Sequence, residues 1–511
     1  MMVRPLTGGR VLVVGAGIMG IGIAQVAAQA GHSVLLFDAR SGVAQQAAAR
    51  LGATLDGLVA KGKLAADDVE AALSRITPLA ALEEAQRVDL VVEAIVEDLA
   101  AKRALFQQLE RLVDAHCVLA TNTSSFSVTA MASGMQHPGR LVGLHFFNPA
   151  PLMKLVEVVS GLHTDEAVAE AVFELARHWG KTPVHARSTP GFIVNRIARP
   201  FYAETLALLH EQAATPQVLD ACLRAAGFRM GPCELMDLIG HDINFAVTKA
   251  VYEANFQDKR YQPSLIQREM VEGGLLGRKS GRGFYRYEGD AIGAPPLPVA
   301  LHDAPITAGA ISVHGQGTLA DALEAAAAAT LAPQGWGPSR ATGSGWCGLA
   351  IDGARLVLTD GRTAAEMARV LGCVDVAVFD RPVRLPSARG AALAFALAPK
   401  VTPTWRSQST AWLAALGFAP LRVADVPGLV VARTLAMLIN EAADAVQQGV
   451  CAPDAADAAM KLGVNYPAGP FEWLADWSAG EVVGLLDALD SHLRGERYRV
   501  SPWLRRMADA A

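Results

Sequence analysis

His145 and Glu157 are the residues whose types and spacing point first to chemistry, and both lie in LVGLHFFNPAPLMKLVEVVS, residues 141–160. The stretch reads as two β-rich runs, LVGLHFF and KLVEVV, separated by NPAP, whose prolines and asparagine interrupt a ladder and favour a turn. If the runs pair antiparallel about a turn near Pro151, His145 and Glu157 become cross-strand neighbours on one face. A histidine held by a carboxylate keeps one tautomer and can take a proton from a substrate hydroxyl near neutral pH. An isolated pair of this kind is more often a buried histidine hydrogen-bonded for packing, so the elements around it have to decide.

Upstream, Arg10 to Val14 is a short apolar strand, followed by Gly15, Ala16, Gly17, Ile18, Met19 and Gly20, and then by an alanine-rich helix closed by Gly31. Gly15 serves the tight turn, Gly17 lets the backbone approach a pyrophosphate, and Gly20 lets the helix pack close to the strand. A second strand, HSVLLFD, ends in Asp38, placed to accept both ribose hydroxyls of an adenosine. This context reads as a dinucleotide site. Asp38 would repel a 2′-phosphate, which favours NAD over NADP, although Arg40 lies nearby. Further on, VDLVVEAIVED is a buried strand ending in Glu93 and Glu97, with Lys102 on the next helix. CVLATNTSSF ends in Asn122, Thr123, Ser124 and Ser125. The carboxyl ends of parallel strands form the ligand crevice of such sheets. Lys61 and Lys63, in LVAKGKLAADD, read as a solvated helix end that could also meet a substrate phosphate.

Composition narrows the function classes. At 511 residues, 51% hydrophobic and 19% charged, the chain is long and apolar enough to bury several cores. A net charge of −5 without a basic block argues against nucleic acid. Six cysteines without a CxxC indicate neither a metal site nor a disulfide framework and fit a reducing compartment. The start, MMVRPLTGGR, shows no charged-then-apolar leader, and no apolar run approaches a membrane span. The expectation is a cytoplasmic protein with no membrane partner.

GAGIMG, VVEAIVED, TNTSS, LHFFNPAPLMKLVEV and TPGFIVNR, in that order, resemble the L-3-hydroxyacyl-CoA dehydrogenase family over roughly residues 10 to 287. The resemblance implies NAD as cofactor and a 3-hydroxyacyl-CoA/3-oxoacyl-CoA substrate pair. It makes His145 the acid/base and Glu157 its orienting carboxylate, with Ser124 and Asn195 against the reacting substrate. Cofactor contacts fall on Gly15, Gly17, Ile18, Met19, Gly20, Asp38, Glu97, Lys102, Asn122, Ser124, Asn148 and Lys279. Coenzyme A contacts fall on Lys61 and Ser124. The longer bacterial members it is similar to suggest 3-hydroxyadipyl-CoA or 3-hydroxybutyryl-CoA, in phenylacetate or fatty acid breakdown. Two other readings stay open at this point: a dehydrogenase of a free hydroxy acid or sugar acid, and a non-catalytic NAD-binding scaffold.

From Thr189 the pattern turns helical, with Pro200 expected to kink the helix. VPGLVVARTLAMLINEAADAVQQGV then repeats TPGFIVNRIARPFYAETLALLHEQA, placing Ala432 where Asn195 stands. The repeat lacks the polar group and any HFFNP-like segment, so it reads as a structural copy forming an internal pseudo-dimer, with a homo-oligomer also possible. Between the copies, GDAIGAPPLPVALHDAP reads as a linker. ITAGAISVHGQGTLADALEAAAAA resembles a strand, glycine turn and helix, with Ala320 in place of the third glycine. The fold class expected is therefore α/β: a Rossmann-like NAD-binding domain (1–188), an all-helical domain (189–287), a linker and degenerate Rossmann-like region (288–421), and a second, non-catalytic helical copy (422–511).

Overall fold

The computed structural model describes residues 5–288, 291–293, 306, 309–335, 337–383 and 390–510. Most of the proline-rich linker segment therefore lies outside the described residues. The strands are β1 Val11–Val14, β2 Val34–Phe37, β3 Ile76–Pro78, β4 Leu90–Glu93, β5 Val118–Thr121, β6 Leu141–Phe146, β7 Leu155–Ser160, β8 Thr182–Arg187, β9 Arg286–Glu288 and β10 Ala291–Gly293. They continue as β11 Ile311–His314, β12 Ser339–Ala341, β13 Gly348–Ile351, β14 Ala354–Leu358, β15 Val376–Phe379, β16 Ala391–Leu397 and β17 Phe418–Arg422. The chain divides into two compact units, Met1–Arg196 with Ala445–Asn465, and Ile197–Asp444 with Tyr466–Ala511.

The first unit is built on an eight-stranded sheet ordered β3-β2-β1-β4-β5-β6-β7-β8. β1, β4 and β5 are buried on both faces. Covered parallel strands of this kind read as continuous apolar runs, as VLVV and CVLAT do. Strands β1 to β6 run parallel, and β7 turns back antiparallel to β6 with β8 parallel to β7. The order reverses between β1 and β4, which opens the crevice where such sheets hold ligands. Helices Ile18–Gln29, Val43–Ala60 and Glu166–His178 contribute Ile23, Leu51 and Val172 to the core on the sheet. Helix Pro453–Val464, from the sequence repeat, packs on β7 and β8 in this same unit.

The second unit contains helices Arg199–His210, Pro216–Ala225, Pro232–Ile239, His241–Ala254 and Leu265–Glu272. Pro200 does not kink a continuous helix. A short turn, Val194–Ile197, ends before it and a new helix begins at Arg199 with Pro200 in its first turn. There the missing N–H has no helical partner to lose. A seven-stranded sheet, β12-β11-β13-β14-β15-β16-β17, follows. It repeats the closing pattern of the first sheet: β14 and β15 parallel, β16 antiparallel to β15, and β17 parallel to β16. β13 runs antiparallel to β11 and β14.

Within this unit the two helical repeats meet through buried charge. Arg433 donates to Glu204 at 2.9 Å and to both oxygens of Glu211, and Arg497 also donates to Glu204. Burial opposes ionisation of Glu204, but Arg497 and Arg433 outweigh it and hold its carboxyl below the usual range. Arg260 contacts Glu441 and Asp444, and the Tyr261 hydroxyl donates to Glu441 at 2.6 Å. Phe228 packs among Phe201, Tyr466 and Trp473, edge-on to Tyr466 and tilted against the other two. Among the described residues no helix is long and apolar enough to cross a membrane.

Candidate active site

The register of β6 and β7 pairs His145 directly with Glu157. The two side chains meet, with His145 Nδ1 2.5 Å from Glu157 Oε2. Glu157 is fully buried and His145 is 6% exposed. The other carboxylate oxygen, Oε1, accepts the backbone N–H groups of Ile193 and Val194, both at 3.0 Å. Three bonds thus fix Glu157. An imidazole that donates Nδ1–H to this carboxylate presents Nε2 as its basic nitrogen. Phe147 and Phe192 flank the ring. Phe192 has φ 47° beside Gly191 at φ 78°, a tight left-handed turn that delivers Ile193 and Val194 to the carboxylate and places Asn195 next to them.

The glycine loop carries the geometry a dinucleotide needs. Gly15 has φ 103°, and a Cβ there would lie 2.4 Å from the Ala94 carbonyl oxygen. A Cβ on Gly20 would lie 1.7 Å from the Gly15 oxygen, whereas one on Gly17 would enter open space. That space adjoins the start of helix Ile18–Gln29, where the free N–H groups favour an anion. Asp38 accepts the N–H of Ala16 in the loop and bonds from Arg40. Burial opposes its ionisation, but those bonds outweigh it and hold the carboxyl below the usual range. The loop, the helix start and Asp38 fit the pyrophosphate and ribose of NAD.

At the ends of β4 and β5, Lys102 is 1% exposed, with Nζ 2.6 Å from Glu93 Oε1 and 3.1 Å from Glu97 Oε2. Glu97 Oε1 accepts the hydroxyls of Thr123 and Ser125 and the N–H groups of Ser124 and Ser125. Thr123 and Ser125 therefore hold Glu97, a role their turn-forming character had hidden. Asn122 Oδ1 accepts the N–H of Phe146, tying the TNTSS loop to the strand of His145. Asn148 is exposed just beyond β6, and Lys61 is exposed at the end of helix Val43–Ala60. Lys279 lies in the second unit, where its Nζ is 2.5 Å from Asp242 Oδ1. Among the described residues no group of three or more His, Cys, Asp or Glu side chains could hold a metal ion.

The second sheet carries a counterpart that the sequence did not reveal. Leu429 has φ 53° beside Gly428 at φ 72°, repeating the turn of Gly191 and Phe192. The N–H groups of Val430, Val431 and Ala432 are accepted by Asp380, which follows β15. Gly315, with φ 102°, repeats Gly15. Ala320, fully buried, brings the Cβ that Gly20 lacks, so its helix cannot approach the strand as closely.

One sheet edge in the first unit therefore carries both a dinucleotide cradle and a carboxylate-held histidine, the pairing a nicotinamide-dependent dehydrogenase needs. Family models agree: the 3-hydroxyacyl-CoA dehydrogenase NAD-binding domain matches residues 10–189, and the C-terminal domain of that enzyme matches 191–287 and again 428–511. A 3-hydroxybutyryl-CoA dehydrogenase reduced Rossmann-fold domain matches 356–427. The chain is 42% identical to 3-hydroxyadipyl-CoA dehydrogenase of Escherichia coli, over 98% of its own length and 97% of the relative. It is 40% identical to a probable 3-hydroxybutyryl-CoA dehydrogenase of Bacillus subtilis, covering 55% of this chain and 97% of that one. A crystal structure of 3-hydroxybutyryl-CoA dehydrogenase from Escherichia coli superposes with a TM-score of 0.85 at 41% identity, covering 99% of each chain. The chain belongs to the 3-hydroxyacyl-CoA dehydrogenase family and is an NAD-dependent oxidoreductase.

Proposed function

We propose that His145 is the acid/base of this dehydrogenase and that Glu157 orients it. The observation that carries the reading is the 2.5 Å contact between them, with the second oxygen of Glu157 held by two backbone amides. His145 Nε2 takes the proton of the substrate 3-hydroxyl and returns it in the reverse direction. Glu157 stabilises the imidazolium that forms. NAD, when bound, supplies the acceptor for the hydride from C3. Ser124 and Asn195 hold the C3 oxygen and the thioester in line.

On the cofactor side the loop from Gly15 to Gly20, with the backbone of Ile18 and Met19, takes the pyrophosphate, and Asp38 takes the ribose. Glu97, Asn122, Ser124 and Asn148 line the nicotinamide end, with Lys102 setting the charge beneath Glu97. Lys61 is a coenzyme A contact.

The substrate we favour is 3-hydroxyadipyl-CoA, because the relative that bears that name matches nearly the whole chain. The second reading is 3-hydroxybutyryl-CoA, the substrate for which the full-length structural match is named. With either substrate our reading is an enzyme of acyl-CoA thioester breakdown, acting in the cytoplasm. The second helical repeat is non-catalytic, with Ala432 at the place of Asn195, and its buried bonds to the first repeat support an internal pseudo-dimer.

The test is NADH consumption with acetoacetyl-CoA by the full-length protein and by His145→Ala, with NADPH as control. The mutant is expected to lose about 10²- to 10⁴-fold in kcat while still binding NADH. Turnover undiminished in the mutant would sink the assignment. Comparing kcat/KM for 3-hydroxyadipyl-CoA and 3-hydroxybutyryl-CoA then decides between the two substrates.

A further inference from the structure

The segment from Gln448 to Gly463 belongs to the second helical repeat by sequence, yet it packs in the first unit behind the catalytic pair. Its contacts converge on the two pieces of backbone that hold Glu157. Gly463, in the last turn of helix Pro453–Val464, is buried. A Cβ there would lie 2.7 Å from Leu155 Cδ2 and 3.1 Å from Val194 Cγ2. Leu155 precedes Glu157 by two positions on β7, and Val194 is one of the two residues whose N–H Glu157 accepts. Glycine inside a helix gives up roughly 1 kcal/mol relative to alanine. Here the missing side chain lets the helix rest directly on both segments.

Two further contacts tie the segment down, the first of them to the same turn. Arg196, 3% exposed, follows Asn195 and donates from Nη1 to Gln448 Oε1 at 2.8 Å. The Val450 carbonyl accepts the N–H of Arg187 at 2.9 Å, at the end of β8. Between them, burial pushes the Cys451 thiol up to about 12, with the Glu157 carboxylate adding to the rise, so the segment runs within electrostatic reach of the carboxylate that orients His145.

We propose that Gln448 and Gly463 are positioning residues for the dehydrogenase reaction, through which the non-catalytic repeat holds the 193–196 turn, and with it Glu157 and His145, in register. This rests on the assignment of His145 and Glu157 made above. Displacing the turn moves the amides that fix Glu157 Oε1, and small errors in the placement of a reacting group cost rate steeply.

The experiment uses the full-length enzyme with NADH and acetoacetyl-CoA. Gly463→Val and Gln448→Leu are expected to lower kcat by about 10- to 100-fold, with the KM for each substrate within about two-fold of wild type. Gly463→Ala is expected to lower kcat less, and adding Leu155→Ala to it is expected to recover most of the loss, because the shortened side chain makes room for the new Cβ. If Gly463→Val fails to fold, Gln448→Leu and the compensated pair decide. Wild-type kcat in folded Gln448→Leu and Gly463→Ala would overturn the proposal, and so would a loss that merely tracks the unfolded fraction. An inactive wild type would count against the catalytic assignment instead.

Discussion

Glu157 and Asp380 do the same structural work from different strands. Glu157, on β7, accepts the N–H groups of Ile193 and Val194. Asp380, at the end of β15, accepts those of Val430, Val431 and Ala432. β15 is the counterpart of β6, the strand of His145, so in the second sheet the carboxylate has moved to the histidine's strand, and among the described residues it faces backbone amides rather than an imidazole.

Asp380 should therefore matter to stability alone. Asp380→Ala leaves three buried amides without their acceptor, and each unsatisfied group costs about 1–3 kcal/mol. The expected result is a loss of about 2–5 kcal/mol in urea unfolding. The turnover of the folded fraction should stay at the wild-type value. A drop in kcat without loss of stability would show that the second sheet takes part in the chemistry.

Asp38 should set the cofactor choice. Its carboxyl is ionised well below neutral pH, and Arg40, largely exposed, is turned onto it at 3.1 Å. Asp38→Ala removes the acceptor we propose for the ribose hydroxyls and releases Arg40 from its carboxylate. Charged hydrogen bonds are worth about 1.5–3 kcal/mol, so kcat/KM for NADH should fall by about 10- to 100-fold. NADPH should lose less or gain. An unchanged NADH to NADPH ratio in steady-state kinetics would remove Asp38 from the ribose site.

Glu97 should give the cofactor site an acid limit. Burial opposes its ionisation, but Lys102, Thr123 and Ser125 outweigh it and hold the carboxyl below its ordinary 4.5. A carboxyl depressed in the folded protein contributes order that is complete above the ordinary value and is lost as pH falls through the depressed one. NADH affinity, followed by fluorescence, should be flat from pH 7 to about 5 and fall below that. In Glu97→Gln the affinity should be weaker at pH 7 and the acid limb absent. A wild-type curve matched by the variant at every pH would discount the role.

The pairing of His145 with Glu157 was legible because a strand alternates its side chains and NPAP marks the reversal, so 12 positions of separation translate into one cross-strand register. The glycine loop was equally legible, since each glycine answers a steric demand that backbone geometry alone imposes. Asp380 was not. It stands at the end of VDVAVFD and its amides come from PGLVVAR, 50 to 52 positions later, a pairing made only when the sheet and the turn are folded together. Aligning the repeats directs attention to the counterpart of β7, where alanines and phenylalanine stand. Lys102 shows the opposite difficulty: the resemblance makes it a cofactor contact, while in the fold its side chain is buried and turned inward to Glu93. Gln448 offered no signal at all, because an uncharged residue in a helix connection becomes informative only beside Arg196.

The buried bonds from Arg433 and Arg497 to Glu204 join two stretches of a single polypeptide. An association between separate subunits weakens on dilution, whereas this one is fixed at the effective concentration set by the connecting chain. It persists at any protein level. Nor must the two repeats stay identical, as subunits encoded by one gene must: each can change without altering the other. One retains Asn195, the other holds Ala432, and the asymmetry exists in every molecule.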